Sequence, residues 1–227
     1  MELIIPYLMC AAILAVLYVL MRLCLTVSNG RALRSVIKSG VYTKKTTYAA
    51  LFAKFGSKKL RSHIYLPRRI SRGVYFDRYE HVLVLSGGVA IVSLHVEEGT
   101  VHNPDGEELW RLRRRGRNGV EREFTFENPI AESTRRRAAL DDLFSHAGLD
   151  FPIPVETLCV FLSAGVKFTG PRQEAILSPP AALHKLSELD TKQTLTENER
   201  KRILDVLRRY ARSASYATAK NKRLQKL

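Results

Sequence analysis

Cysteine is scarce in this chain, three in 227 residues. Cys10 and Cys24 fall in an apolar leader and Cys159 in the segment VETLCVFL, so no pair has metal-ligand spacing. An odd count without pairs does not point to a disulfide framework, and the three read as small apolar side chains in a reducing compartment. Acidic residues are also few: 22 Asp and Glu stand against 37 Lys and Arg, for a formal net charge of +15. A surface this basic attracts polyanions, either phospholipid head groups or nucleic acid, and composition does not separate the two. No phosphate-cradling glycine loop, Ser/His/Asp arrangement, Cys/His cluster or internal repeat stands out. The 45% hydrophobic content is enough for a real core and excludes wholesale disorder.

Charge is missing altogether from Leu3 to Met21. The run LIIPYLMCAAILAVLYVLM is long enough for a helix across a hydrocarbon core of about 30 Å. Pro6 falls in its first turns, where a helix tolerates it. A cleaved signal peptide would need an early positive region and a small-x-small site, and neither is present. The sequence therefore predicts one uncleaved transmembrane anchor over residues 3–27. Arg22, Arg31, Arg34, Lys38, Lys44 and Lys45 all follow the span and none precedes it. The expected product is a single-pass membrane protein, N-terminus outside and domain in the cytoplasm, as on a bacterial inner membrane. The same cations are placed to rest on anionic lipid head groups.

Four parts are expected: the anchor over 1–28, a juxtamembrane helical segment over 29–61, an α/β domain over 62–170, and C-terminal helices with a basic tail over 171–227. TTYAALFAKFGSKKL reads as an amphipathic helix and HIYLP, 63–67, as a short strand. GVYFDRYEHVLVLS and GVAIVSLHVEEG are strands joined at Gly87-Gly88, which is hairpin chemistry. VAIV is apolar on both faces, the mark of a central covered strand. Asn103-Pro-Asp-Gly106 is a turn, and EELWRLRR and VEREFTFE flank another as a two-stranded ribbon. Asn128-Pro129 opens a helix over 129–147 with Ile130, Leu140, Leu143 and Phe144 inward. VETLCVFLS is a further buried strand. Helices are expected at about 180–189 and 196–214, the second behind the capping box Thr196 to Glu199. Past about Ser215 the apolar stripe stops and the chain is expected to fray. The order of elements predicts an α/β fold with a mixed sheet flanked by helices.

The central block carries a family resemblance. Glu80-His81-Val-Leu-Val84, Gly88-Val-Ala-Ile-Val92, Ser93-Leu-His95, Gly99, Trp110, Asn128-Pro-Ile-Ala-Glu132 and Ala139-Leu140 follow one another in the order and spacing of the NERD (nuclease-related) domain. Residues 62–163 thus resemble a family whose fold is similar to the PD-(D/E)XK restriction-endonuclease group. The resemblance implies a divalent-metal site built from an Asp and a Glu-x-Lys, with Mg²⁺ or Mn²⁺ supporting phosphodiester cleavage. This chain departs from that pattern where the chemistry sits: Glu80 stands for Asp, Ser93 for Glu, His95 for Lys, and Glu132 for a glutamine. The expectation is a degenerate, catalytically inactive site with no cofactor. One rescue is open: 93, 95 and 97 share a strand face, so Glu97 with Glu80 and His95 would make a migrated metal site.

Candidate polyanion-binding residues are Arg113, Arg114, Arg115 and Arg117 at the ribbon tip, Arg135 and Arg136 in the Asn-Pro helix, and Arg208, Arg209, Lys222 and Arg223 near the C-terminus. Each has a plainer reading as a solvated, solubilising charge. Three functions follow. The first is an inactive membrane-anchored domain that binds nucleic acid, another polyanion or a protein partner. The second is a metal-dependent nuclease using the migrated site, and the third is a membrane-associated scaffold.

Overall fold

A computed structural model describes residues 42–225, apart from 105, 117 and 172. The anchor expected over 3–27 lies outside the described residues, and within them no helix is long and apolar enough to cross a membrane.

The organising element is the hairpin of β2 (Gly73–Leu85) and β3 (Gly88–His95). Its apolar residues alternate between two cores because successive side chains point to opposite faces. Leu83, Leu85, Ala90, Val92 and Leu94 enter one core, and Val82, Val84, Val89 and Ile91 the other. β3 is central: it pairs antiparallel with β2 and parallel with β7 (Val155–Phe161). With β1 (Leu60–Ile70) and β9 (Ile176–Leu177) the sheet runs β1-β2-β3-β7-β9. The turn is tight: a Cβ on Gly88, whose φ is +147°, would meet the Pro154 carbonyl oxygen at 2.4 Å. That approach requires glycine there.

Helices cover both faces. α1 (Lys44–Lys59) brings Leu51 and Phe55, and α3 (Pro179–Thr191) brings Leu186 and Leu189, onto the first core. α2 (Pro129–His146) brings Leu140, Leu143 and Phe144, and α4 (Glu197–Tyr210) brings Ile203 and Leu207, onto the second. The caps expected at their starts are made: the Asn128 side chain accepts from the Ile130 and Ala131 amides, and Thr196 and Glu199 form a capping box. The chain is thus α/β, with a mixed sheet between two helical layers.

Three expectations need correction. The strand at 63–67 is a full edge strand of 11 residues, because β2 offers a partner along nearly all of its length. The ribbon, β5 (Leu109–Arg115) and β6 (Glu121–Glu127), belongs to a second sheet in the order β6-β5-β4-β8, completed by β4 (Thr100–His102) and β8 (Lys167–Phe168). Its apolar underside, Val101, Trp110 and Leu112, packs on Phe161 at the end of β7. Where fraying was expected, residues 214–224 form a helix. α5 (Ala214–Leu224) docks on β2 with Ala217 fully buried. The Asn221 amide accepts from the Phe76 N–H and donates to the Phe76 carbonyl, each at 2.9 Å. A short side chain that completes a backbone pair in this way anchors a helix whose own apolar stripe is thin.

Candidate functional site

Glu80, Ser93 and Glu132, which motif order singled out, lie where β2, β3, α1 and α2 meet. Glu80, on β2, is buried beside Leu94 of β3. One carboxylate oxygen lies 2.7 Å from Lys44 Nζ at the start of α1, and the other accepts the Leu94 N–H at 2.6 Å. Burial pushes its pKa up, but the Lys44 ammonium and the Leu94 amide outweigh burial and hold it below the usual carboxylate range. Both oxygens of the Glu80 carboxylate are therefore committed inside the fold.

Ser93 is buried, and its hydroxyl accepts from the Arg136 guanidinium at 2.9 Å. The same guanidinium lies 2.6 Å from Glu132 one turn earlier in α2. It also sits 5.9 Å from the Tyr79 ring centroid, a cation–π distance. The Tyr79 hydroxyl closes the arrangement by donating to the Arg136 carbonyl at 2.9 Å. Burial pushes the Glu132 carboxyl up, and Arg136 opposes it. At this centre a cation of the chain itself stands beside Ser93 and Glu132.

His95 ends β3. Its ring stacks on Phe161 at 4.9 Å between centroids. Burial pushes it down to about 4, so it is neutral near pH 7. Its Nδ1 is 3.7 Å from the Glu97 carboxylate, too far for a hydrogen bond. His95 Nε2 and Glu97 Oε2 are both buried without a hydrogen-bond partner. Of the migrated metal set, His95 closes β3 and Glu97 lies beyond the strand, while Glu80 is turned to Lys44 and Leu94. Among the described residues no group of three or more His, Cys, Asp and Glu is arranged to hold a metal ion. Cys159, paired across the sheet with Ser93, lies 3.1 Å from the Ser133 hydroxyl. Burial pushes its thiol up to about 11, which leaves it unreactive.

The polyanion candidates fall in separate places. Arg113, Arg114 and Arg115 are exposed on the ribbon, and Arg117 is outside the described residues. Arg208, Arg209, Lys222 and Arg223 are exposed on α4 and α5, with Arg208 3.3 Å from Asp205. Arg135 pairs with Glu127 at 2.6 Å. Arg136 has to be withdrawn from the surface set, since it is buried and spent on Ser93 and Glu132. Lys44, expected to rest on lipid, is turned onto Glu80 instead; the two are 36 positions apart, and no local signal in the sequence links them. Helical spacing does flag Arg136, which shares a face with Leu140 and Leu143.

No family model, no curated protein and no solved structure matches the chain.

Proposed function

We propose that this chain is a membrane-tethered, catalytically inactive domain of nuclease-related type that works at the cytoplasmic membrane face by binding a polyanion. The observation that carries the reading is the double cation pairing at the centre: Lys44 on Glu80, and Arg136 on Ser93 and Glu132. A hard divalent ion needs carboxylate oxygens free to converge on it. Here those oxygens are turned to an ammonium, a guanidinium and a backbone amide. Such a centre holds the fold together, and among the described residues it offers no ligand set for attacking and leaving oxygens.

Binding then rests on the exterior, where the excess positive charge is displayed. Retention of single- and double-stranded DNA and RNA by the purified chain, measured across a salt series, tests this against retention of anionic vesicles. Retention of either that weakens steeply with salt is the expected result. Retention of neither would favour a scaffold whose charge only orients it on the bilayer. The nuclease reading keeps one observation in its favour: His95 Nε2 and Glu97 Oε2 are both buried without a hydrogen-bond partner, on residues that approach to 3.7 Å through His95 Nδ1. A cleavage assay decides between it and the inactive domain.

A further inference from the structure

The two faces of the β5–β6 ribbon differ in a way that a solubilising hairpin does not require. On one face opposite charges stand across from each other: Arg113 from Glu123 and Arg115 from Glu121. All the glutamates of β6 lie on this face, by strand alternation. On the other face Arg114 stands directly across from Arg122. Like charges in that position destabilise a sheet unless an anion comes between them. Gly116 and Asn118 join the two arginines around a hollow of about 250 Å³. Beside them are exposed apolar groups, Phe124 at 43% and Val120 at 52%, with the Arg114 guanidinium 5.8 Å from the Phe124 ring centroid.

The position of the ribbon selects the anion. Lys44, at the start of α1, reaches Glu80 and hence the Leu94 end of β3. Lys59, at the other end of α1, reaches Asp190, which receives the Ser86 N–H at the β2–β3 turn. The first described turn of α1 therefore lies at the end of the central sheet where β3 leaves through His95 into the ribbon-bearing sheet. The ribbon and the start of α1 share one end of the domain, and the uncharged run Leu3–Met21 precedes that start in the sequence.

We propose that the Val120–Arg122–Phe124 face of the ribbon, with Arg114, docks on the anionic surface of the bilayer. Phe124 and Val120 enter the interface, and Arg114 and Arg122 share a lipid phosphate between them. The acid-bearing face then points away from the lipid. A duplex groove is a poor fit, because it would press Glu121 and Glu123 against phosphates on the second wall, and an aliphatic Val120 adds nothing to a phosphodiester contact. The proposal deepens the polyanion reading and rests on it for the chemistry of the site.

Tryptophan fluorescence of the full chain tests it. Trp110 is the sole tryptophan and is fully buried, so it serves as an unquenched internal reference. Phe124→Trp adds a reporter on the proposed face. The added emission should be lost in vesicles containing brominated phosphatidylglycerol and kept in brominated phosphatidylcholine. In the Phe124→Trp background, Arg114→Glu with Arg122→Glu should restore it, and so should Val120→Asp, a second variant that spares the arginines; unchanged Trp110 emission reports that each variant is folded. No quenching by anionic lipid, or equal quenching by neutral lipid, overturns the proposal. So does a response of the added tryptophan to a single-stranded oligonucleotide but not to anionic lipid. If the ribbon fails this test while salt-dependent polyanion retention persists, the broader reading stands; if retention fails as well, both fall.

Discussion

Replacing Arg136 with methionine removes the cation at the heart of the proposed inactive centre while keeping most of the side chain's bulk. The Arg136 side chain is 11% exposed and Glu132 21%, so the pair is largely withdrawn from water. Breaking such a pair from one side costs about 3–5 kcal/mol, mostly from the charge left behind. Glu132 keeps some contact with water and is able to take up a proton, so the low end applies, about 3 kcal/mol including the lost Ser93 hydrogen bond. Removing both partners, Glu132→Leu with Arg136→Met, should return most of this and leave a deficit of about 1 kcal/mol, because no buried charge remains. The pH dependence has a defined sign. Burial already raises the Glu132 pKa and Arg136 opposes that rise, so without Arg136 the folded-state pKa climbs further above the unfolded one. The folded variant then binds more protons than the unfolded chain, and its stability falls as pH rises. The Arg136→Met penalty should therefore be smaller at pH 5 than at pH 8. Urea unfolding of residues 42–227, followed by Trp110 emission, measures both. A loss under about 1 kcal/mol, or one that does not change with pH, would refute the idea that this guanidinium neutralises a buried carboxylate.

Two further outcomes follow from particular contacts. Asn221→Ala should cost about 1–3 kcal/mol by leaving the Phe76 N–H and carbonyl without their partner, and hydrogen exchange should show the Phe76 amide and α5 opening together; an unchanged exchange rate would mean that α5 is not docked through this side chain. Acidification from pH 7 to 5 should destabilise the fold by about 2 kcal/mol for each of His81 and His95, because burial pushes both down to about 4 and the unfolded chain takes up the protons first. The stability is present above the unfolded pKa and is lost as pH falls towards 4; His95→Gln should flatten its half of the slope, and an unaltered slope would contradict the burial of that ring.

Much of the central sheet was legible because its signals are local. The apolar run in β3, the Gly87-Gly88 turn and the Asn128 cap each constrain their own neighbourhood, and each element sits where that constraint puts it. β4 and β8 were not legible: with three and two residues they carry no periodicity, and pairing with each other and with the ribbon defines them. α5 was missed because Ala217 is its one buried residue and Asn221, which looks like an ordinary polar surface residue, holds it down. At the site, Glu80, Ser93 and His95 could be singled out from motif order, but the Lys44 and Arg136 contacts there could not. Lys44 belongs to a different element, and Arg136 lies within three consecutive arginines that look like solvated charge. Only its phase with Leu140 and Leu143 distinguishes it from Arg135 and Arg137.

The proposed function rests on internal cations standing where a metal would otherwise bind, Lys44 at Glu80 and Arg136 at Ser93 and Glu132. Incubating the purified chain with single- and double-stranded DNA and RNA, in Mg²⁺ and separately in Mn²⁺, tests it most directly. The account predicts that the nucleic acids remain intact, with no difference between the wild type and the Glu80→Ala and Glu97→Ala variants. Metal-dependent cleavage by the wild type that disappears in those two variants would contradict it.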